Sequence, residues 1–139
     1  PKPLWGKLQK EGAVEFNGVR YTADQVLGAG RRGISVAYCT DSRPLDRIKE
    51  FVRGVQLFIC EGMYGDEAKK PKAKGNKHML FSEAARMAKQ AGVERLWLTH
   101  FSPSLHNPED YLSVARAIFP CAELGEERKR ITIEFPKED

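Results

Sequence analysis

The fold is decided by the stretch Ile34-Ser35-Val36-Ala37-Tyr38-Cys39-Thr40-Asp41-Ser42-Arg43-Pro44, in which an apolar run breaks directly into polar residues. An apolar run of this length, bounded by turn residues, is typical of a strand buried in a sheet. Two similar runs follow at residues 55–60 and 95–101. The first of these ends at Glu61, and the second carries His100 near its end. The sequence therefore predicts three buried strands, each with an ionisable side chain at or near its end.

Helical patterns lie between and after these strands. Residues 45–53 carry apolar side chains at helical spacing and stop at Gly54. A second helix is predicted to open at Ser82-Glu83 and to close at Gly92, and a third to span residues 108–119. Alternation of strands and helices indicates an α/β fold, a sheet covered by helices. In such folds ligands commonly gather at the ends of the strands.

Three further elements are predicted outside this alternating core. Two β-prone runs flank Asn17-Gly18, which is a strong signal for a β-hairpin. Residues 131–135 are predicted to form a final strand. Residues 64–77 are polar and rich in lysine, so we expect a mobile surface loop there.

Composition narrows the class of protein. The chain has 139 residues, of which 41% are apolar and 30% charged, as expected of one globular unit. We find no run of eighteen apolar residues and no signal-peptide pattern, so neither a membrane partner nor secretion is expected. The three cysteines form no C-x-x-C pair, which favours reduced thiols in the cytoplasm. A net charge of +4 permits a polyanionic partner, although solvated lysine-rich loops give the same balance.

Four segments of the chain, taken in order, resemble the ribonuclease Z family of the metallo-β-lactamase superfamily. Residues 3–8 are similar to the family's G-P-L-Y-G-K-L, and residues 37–44 to its strand with D-T-R-P. His78 with the alanine-rich stretch after Ser82 resembles its H-S-T segment and the helix that follows, and residues 96–102 resemble its L-T-H-F-S. Each motif alone is weak, but their shared order is fairly specific.

This resemblance implies a fold, a division into domains and an activity. Residues 31–139 would form the C-terminal half of a metallo-β-lactamase-type αββα sandwich, with a mixed sheet and covering helices. Residues 1–30 would form a β-hairpin and the remnant of an arm that grips tRNA. The complete protein would be a cytoplasmic, homodimeric endoribonuclease that holds two zinc ions and cleaves the 3′ trailer of precursor tRNA.

The resemblance also implies roles for single residues. Asp41 would bridge two zinc ions, and His100 would bind one of them. His78 would contact the scissile phosphate or protonate the departing oxygen, and Glu61, at the position of the glutamate in H-E-A-T, would orient His78. A protonated imidazole can supply that proton, and a nearby carboxylate stabilises the imidazolium. The contacts to tRNA phosphates would come from three lysines of the arm: Lys2, Lys7 and Lys10.

Departures from the family's pattern keep other interpretations open. The H-x-H-x-D-H signature, which supplies most zinc ligands, is absent from this sequence, so we expect the chain to be truncated upstream and inactive as a nuclease in isolation. Cys60 replaces the histidine of H-E-A-T, Gly62-Met63 replace its A-T, and Met79-Leu80 replace the S-T of H-S-T. One alternative is a hydrolase of the same fold acting on another phosphodiester or an ester. The other is a non-catalytic interaction module.

Overall fold

A computed structural model describes residues 2–26 and 33–135 of the chain. Contacts between residues separate a first unit, before Ile34, from a second unit, Ile34–Phe135. The boundary predicted between residues 30 and 31 lies outside the described residues.

The first unit contains the predicted hairpin. Strand β1 (Ala13–Phe16) pairs antiparallel with β2 (Val19–Thr22). The two residues between them, Asn17 and Gly18, have φ angles of 51° and 73°. A tight hairpin turn of this kind needs positive φ at both central residues, which asparagine and glycine adopt most readily. The local sequence therefore predicted this turn correctly.

Helix α1 (Lys2–Glu11) precedes the hairpin and was not predicted. Its proline, Pro3, lies in the first turn, where the backbone needs no intrahelical donor. Leu8 is buried, and the amide of Gly12 donates a hydrogen bond to the Leu8 carbonyl at 3.0 Å where the helix ends. This helix was missed because its sequence is rich in proline and lysine and, among its described residues, only Leu8 is buried.

The second unit is built on four parallel strands in the order β3-β4-β5-β6. They are β3 (Val36–Cys39), β4 (Leu57–Glu61), β5 (Arg95–Thr99) and β6 (Ala122–Leu124). The first three correspond to the three strands that the apolar runs predicted.

The fourth strand corrects the prediction of a strand at residues 131–135. Within the described part of the chain those residues adopt no strand, and their side chains are exposed or half-buried. In contrast, Ala122 and Leu124 of β6 are buried and occupy the place beside β5. Since β6 occupies the place beside β5, the apolar residues of segment 131–135 do not pair with the sheet.

Four helices accompany this sheet: α2 (Asp46–Phe51), α3 (Lys70–Gly75), α4 (Phe81–Ala91) and α5 (Glu109–Ile118). Helix α4 buries most of its length and ends at Gly92, whose φ of 64° suits glycine. Its apolar side chains share one core with those of the sheet and of α5. Full burial of each large apolar side chain stabilises the fold by roughly 1.5–3 kcal/mol. Within residues 2–26 and 33–135, no helix has both the length and the apolar composition to cross a membrane.

The mobile loop predicted at residues 64–77 was wrong, because this segment is folded. It contains a short 3-10 turn followed by α3. The side chain of Asp66 accepts a hydrogen bond from the backbone of that turn. Tyr64, Ala73 and Leu80 form a small buried cluster beneath it. One buried alanine anchors a segment whose composition is otherwise dominated by solvated lysines.

Candidate metal-binding and catalytic site

The candidate site lies at the carboxyl edge of the parallel sheet. Strands β3, β4 and β5 are adjacent and parallel, so their carboxyl ends meet at one edge. Asp41 comes two residues after β3, Glu61 is the last residue of β4, and His100 directly follows β5. The sheet register therefore places all three side chains at the same edge, where α/β folds commonly bind ligands.

Asp41 and His100 face each other across this edge. Oδ2 of Asp41 is 3.5 Å from Nε2 of His100. Both residues have a left-handed backbone, with φ of 52° and 57°. Few residues other than glycine adopt this backbone, although aspartate and histidine do so more readily than most, and such residues cluster at functional sites. Both side chains lie just beyond the ends of their strands and point toward each other.

His78 reaches this point from the segment between α3 and α4. Its amide donates a hydrogen bond to the carbonyl of Ala73 at 2.8 Å, and its ring centroid lies 5.5 Å from that of His100. One potential ligand atom from each of Asp41, His78 and His100 falls within 4.8 Å of the others. The structure thus brings together one carboxylate and two imidazoles.

Glu61 is the buried hub of the site. Its carboxylate is fully buried and accepts hydrogen bonds from the amide of Ser42 at 2.5 Å and from the amide of Met79 at 2.9 Å. Nδ1 of His78 lies 3.1 Å from its Oε2. A buried carboxylate is costly unless it is well hydrogen-bonded, and this one has three partners. Glu61 thereby holds the segments that carry Asp41 and His78 in place. Because Nδ1 of His78 contacts Glu61, the other ring nitrogen, Nε2, faces away from Glu61.

An ion pair that sequence reasoning missed supports the same segment. The guanidinium of Arg43 contacts both carboxylate oxygens of Glu83, at 2.8 and 2.6 Å, and also donates to the carbonyl of His78. Glu83 in turn accepts a hydrogen bond from the amide of Leu80 at 3.0 Å. In the sequence, Arg43 lies within D-S-R-P and Glu83 lies at the third position of α4. Neither pattern predicts that two residues forty positions apart form an ion pair.

Electrostatics around Glu83 follow from this geometry. Burial alone would raise the pKa of its carboxyl group. The hydrogen bonds from Arg43 and the Leu80 amide, together with the charges of Arg43 and Lys70, outweigh burial, so the pKa lies below its ordinary value. Glu83 is therefore an anion held in a two-pronged pair, which is a strong form of hydrogen bonding.

The cysteines near the site are packing residues. Cys60 is fully buried in the core, and Cys39 beside it on β3 is half-buried. Burial raises the pKa of both thiols, which keeps them protonated near neutral pH. Packing also explains Gly62, since a Cβ there would lie 2.8 Å from Cδ1 of Phe81. Cys60 and Gly62, which depart from the H-E-A-T pattern, are thus both explained by packing in the core.

The donor set suits a divalent metal ion. Carboxylate oxygen and imidazole nitrogen are common ligands of zinc, and catalytic zinc sites combine about three protein ligands with an open position. Asp41 and His100 are close enough to share an ion, and their side chains are 70% and 35% exposed, so the site opens outward. The residues present at this edge therefore fit a metal.

The three lysines predicted to contact tRNA lie elsewhere, in the first unit. Lys2, Lys7 and Lys10 all belong to α1 and are exposed. Nζ of Lys7 is 3.8 Å from Glu11, an exposed pair of a kind that contributes little to stability. Their ammonium groups are accessible, and their contact with RNA stays a prediction.

The chain is similar to known proteins in sequence and in fold. A family model described as a β-lactamase superfamily domain matches residues 17–101. Ribonuclease Z of Lachnoclostridium phytofermentans is 52% identical over the whole chain, and ribonuclease Z of Agathobacter rectalis is 55% identical over 99% of it. The chain spans about half the length of these relatives, 46% of each.

Two solved structures resemble this chain in fold. The metallo-β-lactamase fold protein YhfI from Bacillus subtilis superposes with a TM-score of 0.58 at 27% identity, covering 67% of this chain and 37% of that protein. The short form of human tRNase Z superposes with a TM-score of 0.57 at 23% identity, covering 83% of this chain and 37% of that protein. Both likenesses concern the fold of the chain.

Proposed function

Because the chain belongs to the β-lactamase superfamily, we propose that it is part of a metal-dependent endoribonuclease that cleaves the 3′ trailer of precursor tRNA. The observation that carries this proposal is the convergence of Asp41, His78 and His100 within 4.8 Å at the carboxyl edge of the sheet. Its support from relatives is an identity of about half to proteins named ribonuclease Z. The activity would belong to the complete protein, of which this chain supplies part of the site.

In this proposal Asp41 and His100 hold the metal. A divalent ion there would polarise a phosphodiester toward attack by water. The carboxylate and the imidazole fix its position because both come from the ends of neighbouring strands whose register is set by the core.

In the same proposal, His78 supplies the proton to the leaving group and Glu61 positions His78. Nε2 of His78 would donate a proton to the departing 3′ oxygen of the cleaved bond. Glu61, hydrogen-bonded to Nδ1, would hold the ring in place and stabilise the imidazolium form. Arg43 would act on His78 through its carbonyl and so belongs to the positioning residues.

A second role for His78 is favoured by one observation. Its ring offers a nitrogen within 4.8 Å of the candidate ligand atoms of Asp41 and His100, so it could be a third metal ligand instead of a proton donor. The two roles differ in whether the metal leaves with the histidine.

Zinc, dimerisation and cytoplasmic location are finer parts of the proposal. The mixed oxygen and nitrogen donors support zinc. All three cysteines are free thiols, which supports a reducing compartment. Tyr38 and Phe51 expose 68% and 77% of their surface in the second unit, and such apolar surface supports a protein contact, for which we propose a homodimer. Sedimentation of the complete protein as a monomer would rule the dimer out.

The test is metal content and cleavage measured together on the complete protein. Asp41→Ala and His100→Ala should each lower bound zinc and abolish hydrolysis of precursor tRNA and of bis-p-nitrophenyl phosphate. The matched controls are Asp110→Ala and His106→Ala, which remove the same side chains at exposed positions. Full activity in either site variant would overturn the proposed metal site. Cleavage of the small phosphodiester without cleavage of precursor tRNA would overturn the proposed substrate.

A further inference from the structure

The segment around α3 is rich in lysine, and none of its lysines belongs to the cluster of Asp41, His78 and His100. Residues 69–82 contain five lysines and no acidic residue, whereas the whole chain has a net charge of +4. The rest of the chain therefore carries no net positive charge. We call these side chains the α3 lysine face: Lys69, Lys70, Lys72, Lys74 and Lys77.

The segment that carries the α3 lysine face is anchored by a small buried cluster. All five lysines are exposed, while Ala73, between them in sequence, is fully buried in a cluster with Tyr64 and Leu80. Nζ of Lys72 lies 5.6 Å from the centroid of the Tyr64 ring. The hydrogen bond from the His78 amide to the Ala73 carbonyl ties α3 directly to the candidate site. Like charges gathered on an ordered surface next to a site attract an anionic partner.

A cavity of about 390 Å³ lies beside this face. Its lining includes side chains from α2, α3 and α4, among them Lys70 and Arg86. Arg86 donates to the neutral hydroxyl of Ser82 at 2.9 Å. Among the residues that the structure describes, neither Lys70 nor Arg86 lies within ion-pair distance of a carboxylate.

The acidic side chains of the cavity are already neutralised. Asp46 pairs with Lys49 at 2.8 Å, and Glu83 pairs with Arg43 at 2.6 Å. Lys70 and Arg86 form no ion pair within the described residues, although the charge of Lys70 also acts on Glu83, so the cavity keeps two cationic side chains that can attract an anion. Oxygen-rich groups of an RNA backbone fit this environment, since lysine and arginine both bind phosphate.

The ion pair between Arg43 and Glu83 connects this cavity to the candidate site. Glu83 lines the cavity, while its partner Arg43 donates to the carbonyl of His78. A strand with one phosphodiester at His78 would therefore bring neighbouring phosphates toward the cavity and the α3 lysine face.

We propose that the α3 lysine face and its adjoining cavity bind backbone phosphates of the RNA substrate close to the cleaved bond. This inference rests on the proposed function, since it takes RNA as the substrate. Such contacts are independent of base sequence and weaken as salt rises, because each bound phosphate releases counterions. They would add to the affinity for RNA without taking part in bond cleavage.

The test compares two pairs of substitutions in the complete protein. Lys70→Gln/Arg86→Gln removes the two cations of the cavity. The control, Arg53→Gln/Lys89→Gln, removes two exposed cations near the amino edge of the sheet, where the Gly54 amide donates to Ala91. Binding of a mature tRNA is measured by fluorescence anisotropy between about 50 and 200 mM salt. Hydrolysis of bis-p-nitrophenyl phosphate reports on the site itself.

For the cavity variant we expect the Kd for tRNA to rise about tenfold and the slope of log Kd against log salt to fall by about two. The control should differ little from the unsubstituted protein, and both variants should hydrolyse the small phosphodiester normally. Equal weakening of tRNA binding in both pairs, unchanged binding in both, or loss of small-substrate hydrolysis in the cavity variant would each overturn the inference. Failure of the unsubstituted protein to cleave precursor tRNA would instead count against the proposed function.

Discussion

Nδ1 of His78 lies 3.1 Å from a carboxylate oxygen of Glu61 that has no exposed surface. The exposed edge of the site is thereby joined to the core, because the same carboxylate accepts the amides of Ser42 and Met79. A change at Glu61 should therefore alter both catalysis and folding, whereas a change at His78 should alter mainly catalysis.

Glu61→Gln is expected to lower kcat for phosphodiester cleavage by roughly 10–100-fold, the usual effect of losing a partner that orients a site residue. The amide group keeps the shape of the side chain but removes its charge, and its NH2 would face backbone donors. Steady-state kinetics on bis-p-nitrophenyl phosphate test this, with exposed Glu50→Gln as the control. An unchanged kcat would show that Glu61 has only a structural role.

His78→Gln distinguishes the two roles proposed for this histidine. If His78 donates the proton, kcat should fall by about 10²–10⁴-fold while bound zinc stays the same. If His78 is a metal ligand, zinc and activity should be lost together. Metal analysis after gel filtration, run beside His106→Gln, decides between the two.

Arg43→Ala should destabilise the protein by about 3 kcal/mol, because it leaves the largely buried Glu83 without its partner. Arg43→Lys keeps the charge but loses the two-pronged contact, so a smaller loss is expected. The measurement is urea unfolding. Lys49→Ala, which breaks the exposed pair with Asp46, should have little effect. A similar small effect of Arg43→Ala would mean that the pair does not hold the His78 segment.

The pH dependence of stability should report on Glu83. Its pKa is lowered in the folded state, so the stability it contributes is present above the ordinary pKa of 4.5 and is lost as pH falls through the folded value. The stability difference between the unsubstituted protein and Glu83→Gln should therefore be largest near neutral pH and shrink below about pH 4.5. Unfolding curves at several acidic pH values measure it, and a difference that grows on acidification would contradict the assignment.

The thiols should react in order of exposure. Cys121 is exposed, Cys39 is half-buried and Cys60 is fully buried with a raised pKa. A thiol reagent at neutral pH should label Cys121 first, Cys39 slowly and Cys60 only on unfolding. Mass spectrometry of the labelled peptides gives the order, and early labelling of Cys60 would show that the core opens readily.

Local patterns predicted the parts of the fold in which burial dominates. The strands β3, β4 and β5 and the closing glycine of α4 were confirmed, because apolar runs and Gly92 leave few alternatives. The fold class and the resemblance to ribonuclease Z were also confirmed by the relatives and the solved structures. Order along the chain was enough to place Asp41, Glu61 and His100 at one edge.

The missed features depend on single contacts that composition hides. Helices α1 and α3 are each anchored by one buried side chain, Leu8 or Ala73, in segments dominated by lysine and proline. The pairing of Arg43 with Glu83 depends on how α4 packs against α2 and β4, which no short pattern encodes. The placement of His78 came from the family resemblance, since its own neighbours form neither strand nor helix.

The left-handed backbone at Asp41 and His100 bears on how separable the site is from the fold. Glycine adopts positive φ readily, so Asp41→Gly or His100→Gly would relieve backbone strain of about 1 kcal/mol, while the freer unfolded chain would offset part of that gain. Either side chain could therefore be lost at little cost to the free energy of unfolding, and the scaffold would persist without its chemistry.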